Sequence, residues 1–290
     1  LTNLTHSNIL LSKEGRIVNK IILQESLKLR EGEFMQQLSN ERIKELSKLR
    51  LKKYREESGL VLVEGQRTIR QLLISEIRIK ELYLTGEALE QYEDIPQRAV
   101  GSRLFLVDEK QISRISAAKS PQKIIGLVEQ KRPSFRRKER LLYLDRVSEP
   151  GNLGAIFRTA QASGMDGIVL SPACCEIYNP KTVRASVGTV FTLPSMTADY
   201  DFLARSSNEI IVTDAQEGVS LFSEKLKRRS YILVIGSEAS GIAKELLKVE
   251  HFKLKIPMLR DLESLNAAVA AGLCMYSLNQ DIIEEFPGVG

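Results

Sequence analysis

Apolar residues recur along this chain in two rhythms. Short apolar runs at Leu60–Val63, Leu142–Val147, Ile168–Leu170 and Ile210–Val212 suit buried strands. Between them lie stretches whose apolar positions return every three or four residues, the spacing of one helix face. Their alternation predicts an α/β chain. The clearest unit is Tyr143–Leu170, YLDRVSEPGNLGAIFRTAQASGMDGIVL. A strand runs to Val147, Pro150-Gly151 breaks it, and Asn152 stands at the expected helix N-cap. Leu153, Ile156, Phe157 and Ala160 follow at helical spacing, Gly164 closes the helix, and Ile168–Leu170 returns as a strand. Residues 231–247, YILVIGSEASGIAKELL, repeat the order strand, tight turn, helix. Glu209–Asp214 reads as a further strand with a polar Thr213-Asp214 tip, and Ile256-Pro257-Met258 as an edge or loop. Ser264–Leu278 reads as an alanine-rich helix capped by Ser264 and too short to span a membrane.

The first half uses the same elements on a smaller scale. Glu41–Arg55 is periodic as one helix: Ile43, Leu46, Leu49 and Tyr54 face a core, while Lys44, Lys48, Arg50, Lys52, Lys53 and Arg55 crowd the rest of its surface. Then come a strand at Leu60–Val63, a Glu64-Gly65 turn, a helix from Gln66 to about Ser75 with Arg67 and Arg70, and strands at Glu81–Leu84, Leu104–Val107 and Ile124–Val128. Residues 41–130 thus form a small α/β domain, 131–140 (KRPSFRRKER) a basic linker without period, and 141–290 a second domain. Asn179–Leu193 there predicts a helix through Val187, followed by an apolar run. Residues 1–40 carry no motif. Ile21–Leu29 suits a short amphipathic helix, and Met35 is a candidate start of the functional chain.

Charge sharpens this division. Residues 41–140 hold 23 Lys or Arg against 15 Asp or Glu, a net of +8, whereas 141–290 hold 14 against 18, a net of −4. A basic module beside a mildly acidic one points to a polyanion held by the first, with an uneven solvated surface as the alternative. Phosphate contacts are therefore expected at Lys44, Lys48, Lys52, Lys53, Arg55 and Arg67. Three cysteines give neither a CxxC pair nor an even disulfide set, and His6 and His251 are the only histidines, so no metal and no hydrolytic triad are expected. With no membrane-length apolar run and no secretory leader pattern, a cytoplasmic location is expected.

Two motifs suggest chemistry. Gly151, Gly154 and Arg158 fall near one face at a helix start, an arrangement that can receive a phosphate or a developing oxyanion; the bland alternative is a shaped turn beside a solvated arginine. Arg184 is a candidate second anion contact or a surface residue. Gly236, Glu238 and Gly241 occupy GxGxxG positions after a strand, but a carboxylate replaces the middle glycine and would repel a pyrophosphate, which disfavours a nicotinamide dinucleotide. The residue after Gly241 is Ile242, so a Walker lysine is missing as well. A cationic nucleoside such as S-adenosylmethionine tolerates Glu238.

Three blocks, EPGNLGAIFRTA, VIGSEASG and IPMLRDLESLNAAVAAG, resemble in order and spacing the motifs of the SpoU/TrmH group of RNA 2′-O-ribose methyltransferases in the SPOUT superfamily. The likeness spans about residues 41–290 and implies a C-terminal SPOUT domain with a trefoil knot around a parallel sheet, preceded by a small α/β RNA-binding domain. It implies bound S-adenosylmethionine, a homodimer with its active site near the subunit interface, and an RNA substrate, ribosomal rather than transfer RNA. Carried over by position, Thr213, Gly236, Glu238, Ile256, Met258 and Leu265 contact the cofactor, and Asn152, Arg158, Glu238, Ser264 and Asn266 form the catalytic cluster. Ala267 and Ala268 follow Asn266 where valine or serine is frequent. A guanidinium is a poor base, so phosphate binding and alkoxide stabilisation are the expected roles of Arg158, with the base as the alternative. The rival readings are a transfer-RNA methyltransferase, a catalytically inactive ribosome assembly factor, and a nucleotide-dependent oxidoreductase.

Overall fold

A computed structural model describes residues 38–223, 229–237, 241–260 and 263–285; the expectations for Ile21–Leu29 and Met35 lie outside them. In the small domain, Ser39 accepts the Arg42 N–H and caps helix α1 (Asn40–Lys48). The single helix expected over Glu41–Arg55 is broken. Leu51 is extended (φ −97°, ψ 134°) before α2 (Lys52–Ser58), and Arg55 is thereby turned inward, 2% exposed. A continuous helix would have kept Arg55 beside Lys48 and Lys52 on the outer face. Strands β1 (Leu60–Glu64), β2 (Ile79–Leu84), β3 (Arg103–Leu106) and β4 (Ile124–Glu129) form a sheet in the order β1-β4-β2-β3. β4 is antiparallel to both β1 and β2, and β3 is parallel to β2. Helices α3 (Gln66–Ile74), α4 (Gly86–Gln91), α5 (Asp94–Arg98) and α6 (Glu109–Ile115) connect the strands.

The second domain begins with β5 (Arg140–Leu144), α7 (Pro150–Ala162), β6 (Gly167–Leu170), α8 (Pro180–Ser186), β7 (Ser195–Thr197) and α9 (Asp201–Ala204). It continues with β8 (Glu209–Asp214), β9 (Val219–Ser220), β10 (Tyr231–Ile235), β11 (Phe252–Lys255), α10 (Ala267–Leu278) and α11 (Gln280–Glu285). Seven strands pair in the order β7-β6-β5-β10-β8-β11-β9, and every pair is parallel. The late strands go to the interior: β10 lies between β5 and β8, and β11 between β8 and β9. Full burial of Tyr231, Ile232, Leu233 and Val234 on both sheet faces explains the unbroken apolar run there.

Three expected local details differ. Helix α7 starts earlier, with Glu149 as N-cap and Pro150 in its first turn, so Asn152 is already helical. α10 is capped by Asn266 rather than Ser264, because the Asn266 carboxamide oxygen accepts from the N–H groups of Ala268 and Val269. After β10 the expected helix is replaced by a looped segment and a 3₁₀ turn at Leu246–Lys248.

The domains share one apolar core in which Ile69 and Leu72 of α3 join Val183, Val190 and Phe191. Two ion pairs cross this junction in opposite senses. Arg55 forks onto Glu176, its Nε 2.9 Å from Oε1, and also donates to the Leu49 carbonyl. Arg184, a candidate for either an anion contact or a surface role, lies 3.7 Å from the buried Glu64 carboxylate. Gly154 lets α7 and α8 touch: a Cβ there would lie 2.5 Å from the Thr182 carbonyl oxygen.

Candidate active site

The C-terminal ends of β8, β10 and β11 open onto a pocket of about 150 Å³. Crevices at strand ends where connections diverge are where open α/β sheets bind ligands. Thr213, Gly236, Ile256, Met258 and Leu265, five of the six expected cofactor contacts, line it together with Ser264. The sixth, Glu238, lies outside the described residues. Ile235, Ile242, Ala267 and Ala270 add apolar wall, and Asp214 supplies a carboxylate. Asp214 Oδ1 accepts from the N–H groups of Gln216 and Glu217, and Lys253 lies 3.3 Å from Oδ2. Burial raises the Asp214 pKa, but these hydrogen bonds and the lysine outweigh it and hold the carboxyl below its ordinary range, ionised at neutral pH. An apolar cleft with one anionic wall suits a nucleoside that carries positive charge, which is the fit S-adenosylmethionine requires.

Gly236 has a steric duty here. A Cβ on it would come within 2.5 Å of the Gly241 carbonyl carbon, because Ser237 and Gly241 exchange two backbone hydrogen bonds of 3.1 and 2.9 Å that close the loop neck. Glycine is therefore needed for backbone approach, though to its own chain rather than to a pyrophosphate.

The expected catalytic residues divide. Asn152 and Asn266, 114 positions apart, meet: Asn266 Nδ2 donates to Asn152 Oδ1 at 3.1 Å. Ser264 lies at the pocket wall two residues before Asn266. Arg158 shares α7 with Asn152, is exposed, and has no hydrogen bond or ion pair with any described residue. The anion-receiving helix start is already filled. The Glu149 carboxylate takes the Asn152 N–H at 2.6 Å and pairs with Lys181 at 2.5 Å, and these contacts hold its pKa down. Gly154 faces α8, so of that trio Arg158 alone remains available to an anion.

Of the expected RNA contacts, Lys44 and Arg67 are exposed, whereas Lys52 and Lys53 lie 3.5 and 3.8 Å from Glu56 and Glu57. Lys48 sits 5.5 Å from the Tyr54 ring centroid. Arg55 is buried against Glu176 and presents no guanidinium to solvent, which corrects its place among them. The burial-raised thiol of Cys274, pushed to about 12, and that of Cys175, pushed to about 11, are protonated and unreactive at neutral pH. Asp214, Ser237 and Ala270 were missed as pocket wall; the polar tip after the Ile210–Val212 run was the available signal.

Residues 139–276 match the SpoU rRNA Methylase family, and residues 40–126 match the MRM3-like substrate binding domain. The fold also superposes, with a TM-score of 0.73 and 30% identity, on the AdoMet-bound rRNA methyltransferase of Sinorhizobium meliloti, over 86% of this chain and 97% of that one. The chain belongs to the SpoU rRNA methylase family. Among its family relatives, the 23S rRNA (guanosine(2553)-2'-O)-methyltransferase RlmP of Bacillus subtilis is 29% identical over 82% of this chain and 96% of its own. The SpoU methyltransferase AviRb of Streptomyces viridochromogenes superposes with a TM-score of 0.72 at 25% identity, over 85% of this chain and 99% of its own. Among the described residues no helix is long and apolar enough to cross a membrane.

Proposed function

We propose that this SpoU family member transfers a methyl group from S-adenosylmethionine to a ribose 2′-hydroxyl of ribosomal RNA, in the cytoplasm and as a homodimer. One observation carries the reading: a pocket walled by Thr213, Gly236, Ile256, Met258 and Leu265 opens beside the head of α10, where Asn152 and Asn266 meet. When bound, S-adenosylmethionine supplies an electrophilic methyl on a sulfonium. The chain's own groups then have distinct tasks. Thr213, Gly236, Ile256, Met258 and Leu265 hold the nucleoside, with Asp214 as the counter-charge to its ammonium. Ser264, Asn152 and Asn266 orient the ribose, and Glu238 belongs to the same cluster by its place in the motif. Arg158 grips the neighbouring phosphate through its guanidinium and stabilises charge building on the 2′-oxygen.

Ribosomal RNA is favoured over transfer RNA by RlmP and the Sinorhizobium relative and by the MRM3-like domain. RNA reaches the small domain through Lys44, Lys48, Lys52, Lys53 and Arg67. A dimer is supported by Val269, Leu273 and Tyr276, exposed by 52, 42 and 43% at i, i+4 and i+7 along α10. A knotted chain is supported by the insertion of β10 and β11 between strands laid down earlier. Three unpaired cysteines fit the reducing cytoplasm. The test is label transfer from methyl-tritiated S-adenosylmethionine to unmodified ribosomal and transfer RNA transcripts, followed by alkaline hydrolysis. Labelled, hydrolysis-resistant dinucleotides from ribosomal RNA are expected; label in transfer RNA alone, or none, defeats the proposal.

A further inference from the structure

A carboxylate with no part in the scheme above lies buried behind the pocket. Asp145, at the end of β5, is 0% exposed and accepts four hydrogen bonds: from the Ala243 N–H at 2.8 Å, the Tyr200 hydroxyl at 2.8 Å, and Arg146 Nε and Nη2 at 3.1 Å each. Arg146 Nη2 also donates to the Gly241 carbonyl at 3.1 Å. Arg146 itself sits at φ +60°, a left-handed conformation unfavourable for any residue but glycine, Asn or Asp. Such a conformation persists only where surrounding contacts fix it, and here it brings the guanidinium to both partners.

These bonds converge on one segment. Gly241 and Ile242 line the pocket, and Gly241 closes the neck with Ser237. Ala243 follows directly. The loop ends a strand without a helix to stiffen it, so its shape has to come from outside, and the 145–146 pair supplies two tethers within three residues.

We infer that Asp145, Arg146 and Tyr200 are positioning residues that hold Gly241–Ala243 in its ligand-ready shape before the nucleoside arrives, lowering the ordering cost of binding. Tyr200 braces the carboxylate from α9, so the unit spans three elements. This rests on the proposed reading of the pocket as the S-adenosylmethionine site.

Arg146→Gly separates a positioning role from a merely structural one, since glycine adopts φ +60° freely while the guanidinium's bonds to the Gly241 carbonyl and to Asp145 vanish and the Asp145–Ala243 tether remains. Titration calorimetry with S-adenosylmethionine should show about tenfold weaker binding, from the loss of charge-assisted hydrogen bonds. The KM for the same donor should rise in parallel and kcat at saturation should stay within about twofold, both read well below a melting temperature that the loss of Asp145's ion partner lowers. Hydrogen exchange of the Gly241 and Ala243 amides should quicken in the ligand-free protein. Tyr200→Phe should do the same to a smaller degree, and serves if Arg146→Gly fails to fold. The double variant Arg146→Gly/Tyr200→Phe should lose less than the sum of the two. Equal affinity and equal exchange in parent and Arg146→Gly overturn the inference alone. Failure of the parent protein to bind the donor overturns the pocket reading, and the inference with it.

Discussion

The two domains use their positive charge in opposite ways. On α1 and α2 of the small domain, nearly every cation has a local partner: Arg42 holds Glu45 and Glu81, Lys52 and Lys53 lie beside Glu56 and Glu57, Lys48 sits over Tyr54, and Arg55 is buried on Glu176. On α7 of the mildly acidic domain, Arg158 stands exposed with no partner among the described residues. Counting charges therefore overstates the anion-binding capacity of α1 and α2. A net of +8 over residues 41–140 describes composition, whereas a phosphate responds to guanidinium and ammonium groups that no carboxylate has already engaged.

The contrast can be broken most sharply at Arg158. Arg158→Ala should cut kcat by about 100- to 1000-fold while calorimetry finds S-adenosylmethionine affinity unchanged within about twofold, the loss expected for removing one preorganised charge stabiliser. Undiminished turnover would refute the assignment. Next in size, Arg55→Ala strands the Glu176 carboxylate at the domain junction and should cost about 3–5 kcal/mol in denaturant unfolding, with little change in the salt dependence of RNA binding. A steep change in that salt dependence would return Arg55 to the RNA-contacting set.

A smaller effect concerns acid. Burial pushes the Glu81 pKa up, but hydrogen bonds from Tyr83 and Arg42 and the charges of Arg42 and Arg103 more than offset it, so the folded carboxyl titrates below its usual range. The unfolded chain then takes up the proton first. The stabilisation is complete above the unfolded value of about 4.3 and is lost as pH falls through the folded one. Glu81→Gln should flatten the acid limb of stability against pH, and an unaltered limb would count against this account. Smallest of all, Lys52→Ala and Lys53→Ala should each change stability by no more than about 0.5 kcal/mol and weaken RNA binding less than Arg67→Ala, measured by filter binding at several salt concentrations.

Much of the architecture could be read from the chain because its central strands are covered on both faces. Ile210–Val212 and Tyr231–Ile235 contain no inward polar position to disguise them. Three strands escaped for the converse reason: Ser195–Thr197 and Val219–Ser220, at the two edges, are short, and the interior Phe252–Lys255 alternates lysine with apolar residues. Capping was misplaced by three residues at Asn152 and by two at Ser264, where Glu149 and Asn266 take the amides and only geometry decides. Part of the pocket wall, Thr213, Gly236, Ile256, Met258 and Leu265, was expected from the resemblance to the SpoU/TrmH motifs. The Asn152–Asn266 contact, the inward turn of Arg55 and the carboxylate behind the loop were not, because each depends on segments distant in sequence meeting in space.

The order in which strands enter the large sheet also bears on the birth of the protein. Synthesis delivers β5 to β8 first, yet the sheet's centre stays incomplete until β10 arrives, and the pocket still lacks a wall until Leu265 and Ala270 have left the ribosome. Nascent chains shorter than this lack part of the pocket, so the ligand can stabilise only a polypeptide already extended past Ala270 and cannot guide its early folding.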